Sequence, residues 1–294
     1  MNPTLRRNLH WVGSGLALMG MMFVAFRLHA YWLDLDFSRL TPSIWWSVVV
    51  LAVLYGVTNL LLALAWWHLL THLGAVVTRL WSVKVYGISQ LAKYVPGNIF
   101  HLAGRQALGM AASISAGVLA KSTLWELGLI AVAGALSGWL ILPLLLPAFP
   151  EVVGIFLLLG SAGLIVLLLQ RMAGRQTALA FLWQMLFLVL SGGIFVALLD
   201  VFAGSTAFSI QLWLTIGGAY IAAWLAGLVT PGAPAGVGIR EMILLLLLKG
   251  VVPEADLLIA ILLGRLVTVA GDLLFFVSAS FIPARPDTPG KSHV

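Results

Sequence analysis

The chain is 294 residues long, 62% of them apolar and only 9% charged, a balance far outside that of soluble domains. A hydrocarbon layer of about 30 Å takes roughly 20 apolar residues per helical span, so about seven to nine spans fill the chain and exclude a soluble catalytic domain. The lack of cysteine removes disulfides and thiolate chemistry, and the net charge of +6 reads as cytoplasmic loop bias rather than nucleic-acid binding.

Residues 11–26 form the first predicted helix. The run ends in Arg27, His29, Tyr31 and Trp32, a basic and aromatic boundary of a retained span rather than a signal cleavage site. Residues 44–69 form the second, with Trp45, Trp46, Trp66 and Trp67 near its ends. Residues 71–115 are less apolar, carrying Arg79, Lys84, Lys93, His101 and Arg105 around Pro96 and Gly97, so this stretch is not an ordinary lipid-facing span. Spans are expected at 122–142, 152–169, 179–199 and 212–229. The segment 230–236 breaks the pattern, a short helix covers 237–248, and the last span is 257–282. The expected fold is all-α and polytopic, one transmembrane domain with pseudo-repeat halves at roughly 1–146 and 147–282 and a polar tail at 283–294.

Basic residues give an orientation. Arg6 and Arg7, Arg79 and Lys84, and Arg171 and Arg175 mark cytoplasmic loops, whereas the first interhelical loop carries Asp34 and Asp36 against Arg39. The N-terminus is expected in the cytoplasm, in the plasma (inner) membrane, and the C-terminus on the same side if the crossings are even in number.

Two broken segments stand out. Pro96-Gly97 is followed by Arg105 and Pro231-Gly232 by Arg240, in each case with the Arg nine residues after the Pro. Two helix breaks with this spacing suggest an internal repeat of the transporter kind. The alternative is two proline-kinked helices with unrelated interfacial arginines. A helix restarted inside the membrane exposes N–H groups with partial positive charge, which favours an anion there. Asn98, His101 and Arg105 lie on one face of the restarted helix and Tyr86, Gln90 and Lys93 on one face before the break. These stripes suit a phosphate-bearing headgroup, with an amphipathic hairpin on anionic lipid as the competing reading. The expected binding residues are Lys93, Asn98 as helix cap, His101, Arg105 and Arg240.

Glu126 and Arg265 fall inside long spans, where an isolated charge costs on the order of 3 kcal/mol. They are expected to pair with each other, as a gate or a register lock. Asp272 and Asp200 are expected nearer the interfaces. His68 and His72 are one turn apart but lack a third nearby ligand, so no metal is expected.

Residues 90–105, then Ser122 to Glu126, then Pro231-Gly232 through Gly236 to Glu241, together resemble the lysylphosphatidylglycerol synthase transmembrane-region family, also described as flippase-like membrane proteins. The resemblance runs from the first helix to the last. It implies translocation of an aminoacylated phospholipid made by a separate soluble domain. With about 12 residues after the last span, that domain is expected to be absent, which makes a membrane synthase a candidate partner. No Gly-x-x-x-x-Gly-Lys-Ser/Thr string occurs, so direct ATP use is not expected, nor is any cofactor. The sequence favours a flippase or transporter of a phospholipid or lipid-linked anion. A polyprenyl-phosphate-sugar glycosyltransferase using Asp34 and Asp36, and a non-transporting scaffold, are the alternatives.

Overall fold

Thr78, Ser115 and Ser209 each accept a hydrogen bond from a backbone N–H three residues on, from Trp81, Val118 and Leu212, and so fix where three of the helices begin. Pro42 opens another, its missing N–H harmless in a first turn. The computed structural model describes residues 41–95, 99–146, 148–203, 208–230 and 234–283. The expected helix at 11–26, Asp34 and Asp36, the break residues Pro96, Gly97, Pro231 and Gly232, Asn98 and residues 284–294 of the polar tail lie outside them.

In chain order the helices are α1 (Pro42–His72), α2 (Arg79–Gln90), α3 (Phe100–Ala111), α4 (Ala116–Leu136), α5 (Gly138–Leu145), α6 (Glu151–Met172), α7 (Arg175–Ala203), α8 (Ile210–Val229), α9 (Ile239–Leu247) and α10 (Glu254–Ser280). Short 3-10 turns occupy Leu91–Tyr94 and Pro234–Gly236. Among the described residues six stretches are long and apolar enough to cross a membrane: α1, α4 with α5 as one span, α6, α7, α8 and α10. In position, length and composition they coincide with the six apolar runs expected after the first helix. The weakly apolar stretch after α1 becomes two 12-residue helices, α2 and α3, on either side of the first break.

Among these helices α1, α7 and α10 pack centrally, whereas α6 fully buries only Gly154 and touches the core through Ile165, Val166 and Leu169. Where α1 and α10 cross, a Cβ on Gly271 would stand 2.7 Å from the Ala52 carbonyl oxygen and 2.9 Å from the Gly56 nitrogen. The small residues let two backbones touch, as membrane helices do when water exclusion cannot drive them together.

Contacts identify the two ends of the bundle. At one end Trp67 Nε1 donates to the Val77 carbonyl, His68 Nδ1 meets Gln176 Oε1, and Lys84 Nζ donates to the Ile282 carbonyl. The end of α1, the starts of α2 and α7 and the end of α10 therefore lie together. α3 returns toward this end, because Ser122 and Trp125 near the start of α4 meet Trp66 and His72. At the other end Leu199, Ile216, Leu248, Val252 and Leu257 form one cluster. α8 comes from that second end, turns back after Trp224 and Leu228 reach the interior, and returns to it through α9.

Candidate functional site

One cavity of about 90 Å³ lies where the α2–α3 pair meets the α8–α9 pair, room for several waters at about 10–15 Å³ each. Its wall contains Lys93, His101, Arg105, Glu126, Arg240 and Arg265, which are all the candidate side chains that fall among the described residues. Tyr55 and Leu62 of α1, in the middle of a 31-residue helix, share that wall and set its depth.

Three ion pairs build the wall. On α3, Arg105 Nη1 lies 2.8 Å from both Glu126 oxygens, and the Tyr86 hydroxyl donates to Oε1 at 2.9 Å. The guanidinium also stands 4.2 Å from the Tyr86 ring centre and 5.6 Å from that of Trp66. Both ions are buried, at 4% and 5% exposure. Across the cavity Lys93 Nζ is 2.7 Å from Asp272 Oδ2, which also accepts the Tyr94 hydroxyl at 2.6 Å, while Asn59 Nδ2 donates to Oδ1 at 3.0 Å. The third pair joins Arg265 Nε to Glu241 Oε1 at 2.5 Å, with Arg265 Nη1 and Nη2 donating to the carbonyls of Ala235 and Gly236.

Arg240 stands differently. Its Nη2 donates to the Tyr220 hydroxyl at 2.8 Å and its guanidinium lies 5.2 Å from that ring centre. Its stem passes between two glycines: a Cβ on Gly227 would sit 2.7 Å from Arg240 Cγ, and one on Gly236 would sit 2.9 Å from Cδ. Gly236, with φ of 71°, also makes the backbone turn that L side chains rarely adopt. His101 Nδ1 is buried with no hydrogen-bond partner among the described residues.

Three expectations are corrected by this geometry. Glu126 and Arg265 do not form the expected pair; Glu126 is held by Arg105 and Arg265 by Glu241. The reason is connectivity: α3 and α4 are consecutive and antiparallel, so Arg105 reaches Glu126 before anything from α10 can. Asp272 is not near an interface but fully buried at 0% exposure, because the α1 and α10 crossing at Gly56 and Gly271 brings Asn59 against it. The restarted helix α9 does not offer a bare N-terminus, since Glu241 Oε2 accepts the Gly238 N–H at 2.7 Å. Ile99 takes the N-cap position of α3, without a side-chain cap bond.

Sequence reasoning missed Asn59, Tyr220 and Gly227 and named Asp272 without placing it in the site. Tyr220 had an available signal, since it precedes the second break as Tyr86 precedes the first. His68 and His72 point to separate partners, Gln176 and the Trp125 ring. No family model, curated protein or solved structure matches the chain, so the site itself carries the functional reading.

Proposed function

We propose that this integral membrane protein is a flippase or transporter that moves a phosphate-bearing lipid between leaflets, as the resemblance to the lysylphosphatidylglycerol synthase transmembrane-region family implies. The observation that carries the reading is the cavity: Lys93, Arg105, Arg240 and Arg265 line it with Glu126 and Asp272, and with Glu241 behind Arg265 one cation remains in excess, deep inside an apolar bundle at the inner ends of two broken segments. An excess of positive charge at that depth has no use in ordinary packing and suits an anion in transit.

An inverted internal repeat fits the same geometry. α1, the α2–α3 hairpin and α4 in the first half correspond to α7, the α8–α9 hairpin and α10 in the second. Each hairpin starts from a different end of the bundle and turns at the cavity. Each half carries a Tyr before the break and an Arg after it in contact, Tyr86 with Arg105 and Tyr220 with Arg240. Each half also ties its short restarted helix to its following long span with one ion pair, the signs exchanged: Arg105 to Glu126, and Glu241 to Arg265. Two hairpins that face opposite leaflets and share one site are the parts that alternating access requires.

The test is reconstitution of the purified chain in vesicles with a fluorescent phospholipid in both leaflets and an impermeant quencher outside. Lipid movement appears as quenching beyond the outer-leaflet fraction, faster than in protein-free vesicles. Quenching at the protein-free rate for every phosphate-bearing lipid tried would overturn the proposal.

A further inference from the structure

We infer that Arg240 is the side chain that takes the anion directly, and that the site accepts a phosphodiester monoanion in preference to the dianion of a phosphomonoester. This rests on the lipid-transport reading and adds to it a residue and a charge.

Charge pairing in the wall separates Arg240 from the other cations. Among the described residues Lys93, Arg105 and Arg265 each hold a carboxylate, those of Asp272, Glu126 and Glu241. Arg240 is 9% exposed and among the described residues has a hydrogen bond and ring contact with Tyr220 alone, while the neighbouring Glu241 carboxylate is bonded to Arg265 and the Gly238 N–H. A buried guanidinium without a carboxylate leaves one unit of charge for a ligand to compensate. A second negative charge would have to draw a cation away from Asp272, Glu126 or Glu241 and leave that carboxylate unpaired. At the start of α9 the Gly238 N–H is already taken, because Glu241 accepts it.

Position supports the assignment as well. The slot between Gly227 and Gly236 holds the Arg240 stem, so the guanidinium is aimed before a ligand arrives. His101 Nδ1, buried in the same wall with no partner among the described residues, supplies a second polar contact to an anion. The two arginines nine residues after their prolines thus have different work: Arg105 is an internal counter-ion and Arg240 the ligand contact.

The experiment measures binding by thermal shift of the full chain in maltoside micelles at about pH 8, where a phosphomonoester with a second pKa of about 6 is dianionic. The probes are phosphatidylethanol, a phosphodiester, and phosphatidic acid, a phosphomonoester, with dimethyl phosphate and inorganic phosphate as their chain-free counterparts. Phosphatidylethanol is expected to bind about tenfold more tightly than phosphatidic acid, and Arg240→Gln to weaken it by about tenfold or more, with Arg240→Lys between. Equal or tighter binding of phosphatidic acid, or full affinity in Arg240→Gln, overturns the inference. If Arg240→Gln does not fold, Gly227→Ala presses a methyl on the Arg240 stem without removing the charge, and its unchanged affinity would overturn the inference equally. Dimethyl phosphate binding as well as phosphatidylethanol would keep the anion assignment and remove the lipid-transport reading, whereas selective binding of the lipid keeps both.

Discussion

Arg105 and Glu126 show how an ion pair in an apolar bundle is held. Glu126 accepts from the Arg105 guanidinium and the Tyr86 hydroxyl, and Gln184 Nε2 donates to its backbone carbonyl. Taking two charges out of water is costly, and the pair repays this only through such satisfied geometry. Breaking it from one side is therefore worse than removing it. Arg105→Gln or Glu126→Gln alone is expected to cost about 3 to 5 kcal/mol, and the double variant less than their sum. Arg265 combined with Glu126→Gln should couple far more weakly, because Arg265 keeps Glu241. Double-mutant cycles on the thermal stability of detergent-solubilised protein measure both. Equal coupling in the two cycles would contradict the pairing described here.

At the scale of elements, the cavity depends on how closely α1 and α10 approach. Gly56 and Gly271 set that distance, and Asn59 and Asp272, each adjacent to the crossing, are bonded only because the backbones touch. A methyl on Gly271 would meet the Ala52 carbonyl and the Gly56 nitrogen, both backbone atoms that have nowhere to go. Gly271→Ala should force the helices apart, lower stability by about 1 to 3 kcal/mol and weaken the seat of Asp272 under Lys93. Gly264 lies on the same helix, where an added Cβ would meet Phe195 at an ordinary 3.4 Å. Gly264→Ala is thus expected to stay within about 0.5 kcal/mol of the parent. Melting temperatures of the two variants check this, and similar losses in both would mean that the crossing is not the sensitive feature.

For the whole molecule, hydropathy was enough to find the six long helices, since each is an apolar run of membrane length. The site was legible for a related reason: a charge inside such a chain has to be accommodated, so Lys93, Arg105, Glu126, Arg240 and Arg265 could be singled out one by one, and they line one cavity. Their partners were not legible. Pairing depends on helix rotation and on which hairpin neighbours which span, so Glu126 was matched with the wrong arginine and Asp272 was given the depth of its chain position rather than of its surroundings. The same end-to-end arrangement yields a topology that labelling can test. Arg79, Lys84, Arg171 and Arg175 gather at the end where His68 meets Gln176 and Lys84 meets Ile282, so the positive-inside bias assigns that end to the cytoplasm. If both hairpins re-enter, Ala116 after the first and Met172 after α6 lie on the cytoplasmic side, while Ala148 before α6 and Lys249 after α9 lie outside. The chain has no cysteine, so single cysteines at these four positions report without background. In intact cells an impermeant thiol reagent is expected to label 148 and 249 and to spare 116 and 172 until the membrane is opened. Protection of 249 would mean that the chain from 210 to 248 ends on the cytoplasmic side instead of returning, and labelling of 116 would mean that α2 and α3 cross the membrane together. Either result would remove the two opposed hairpins, and with them the geometric basis for alternating access.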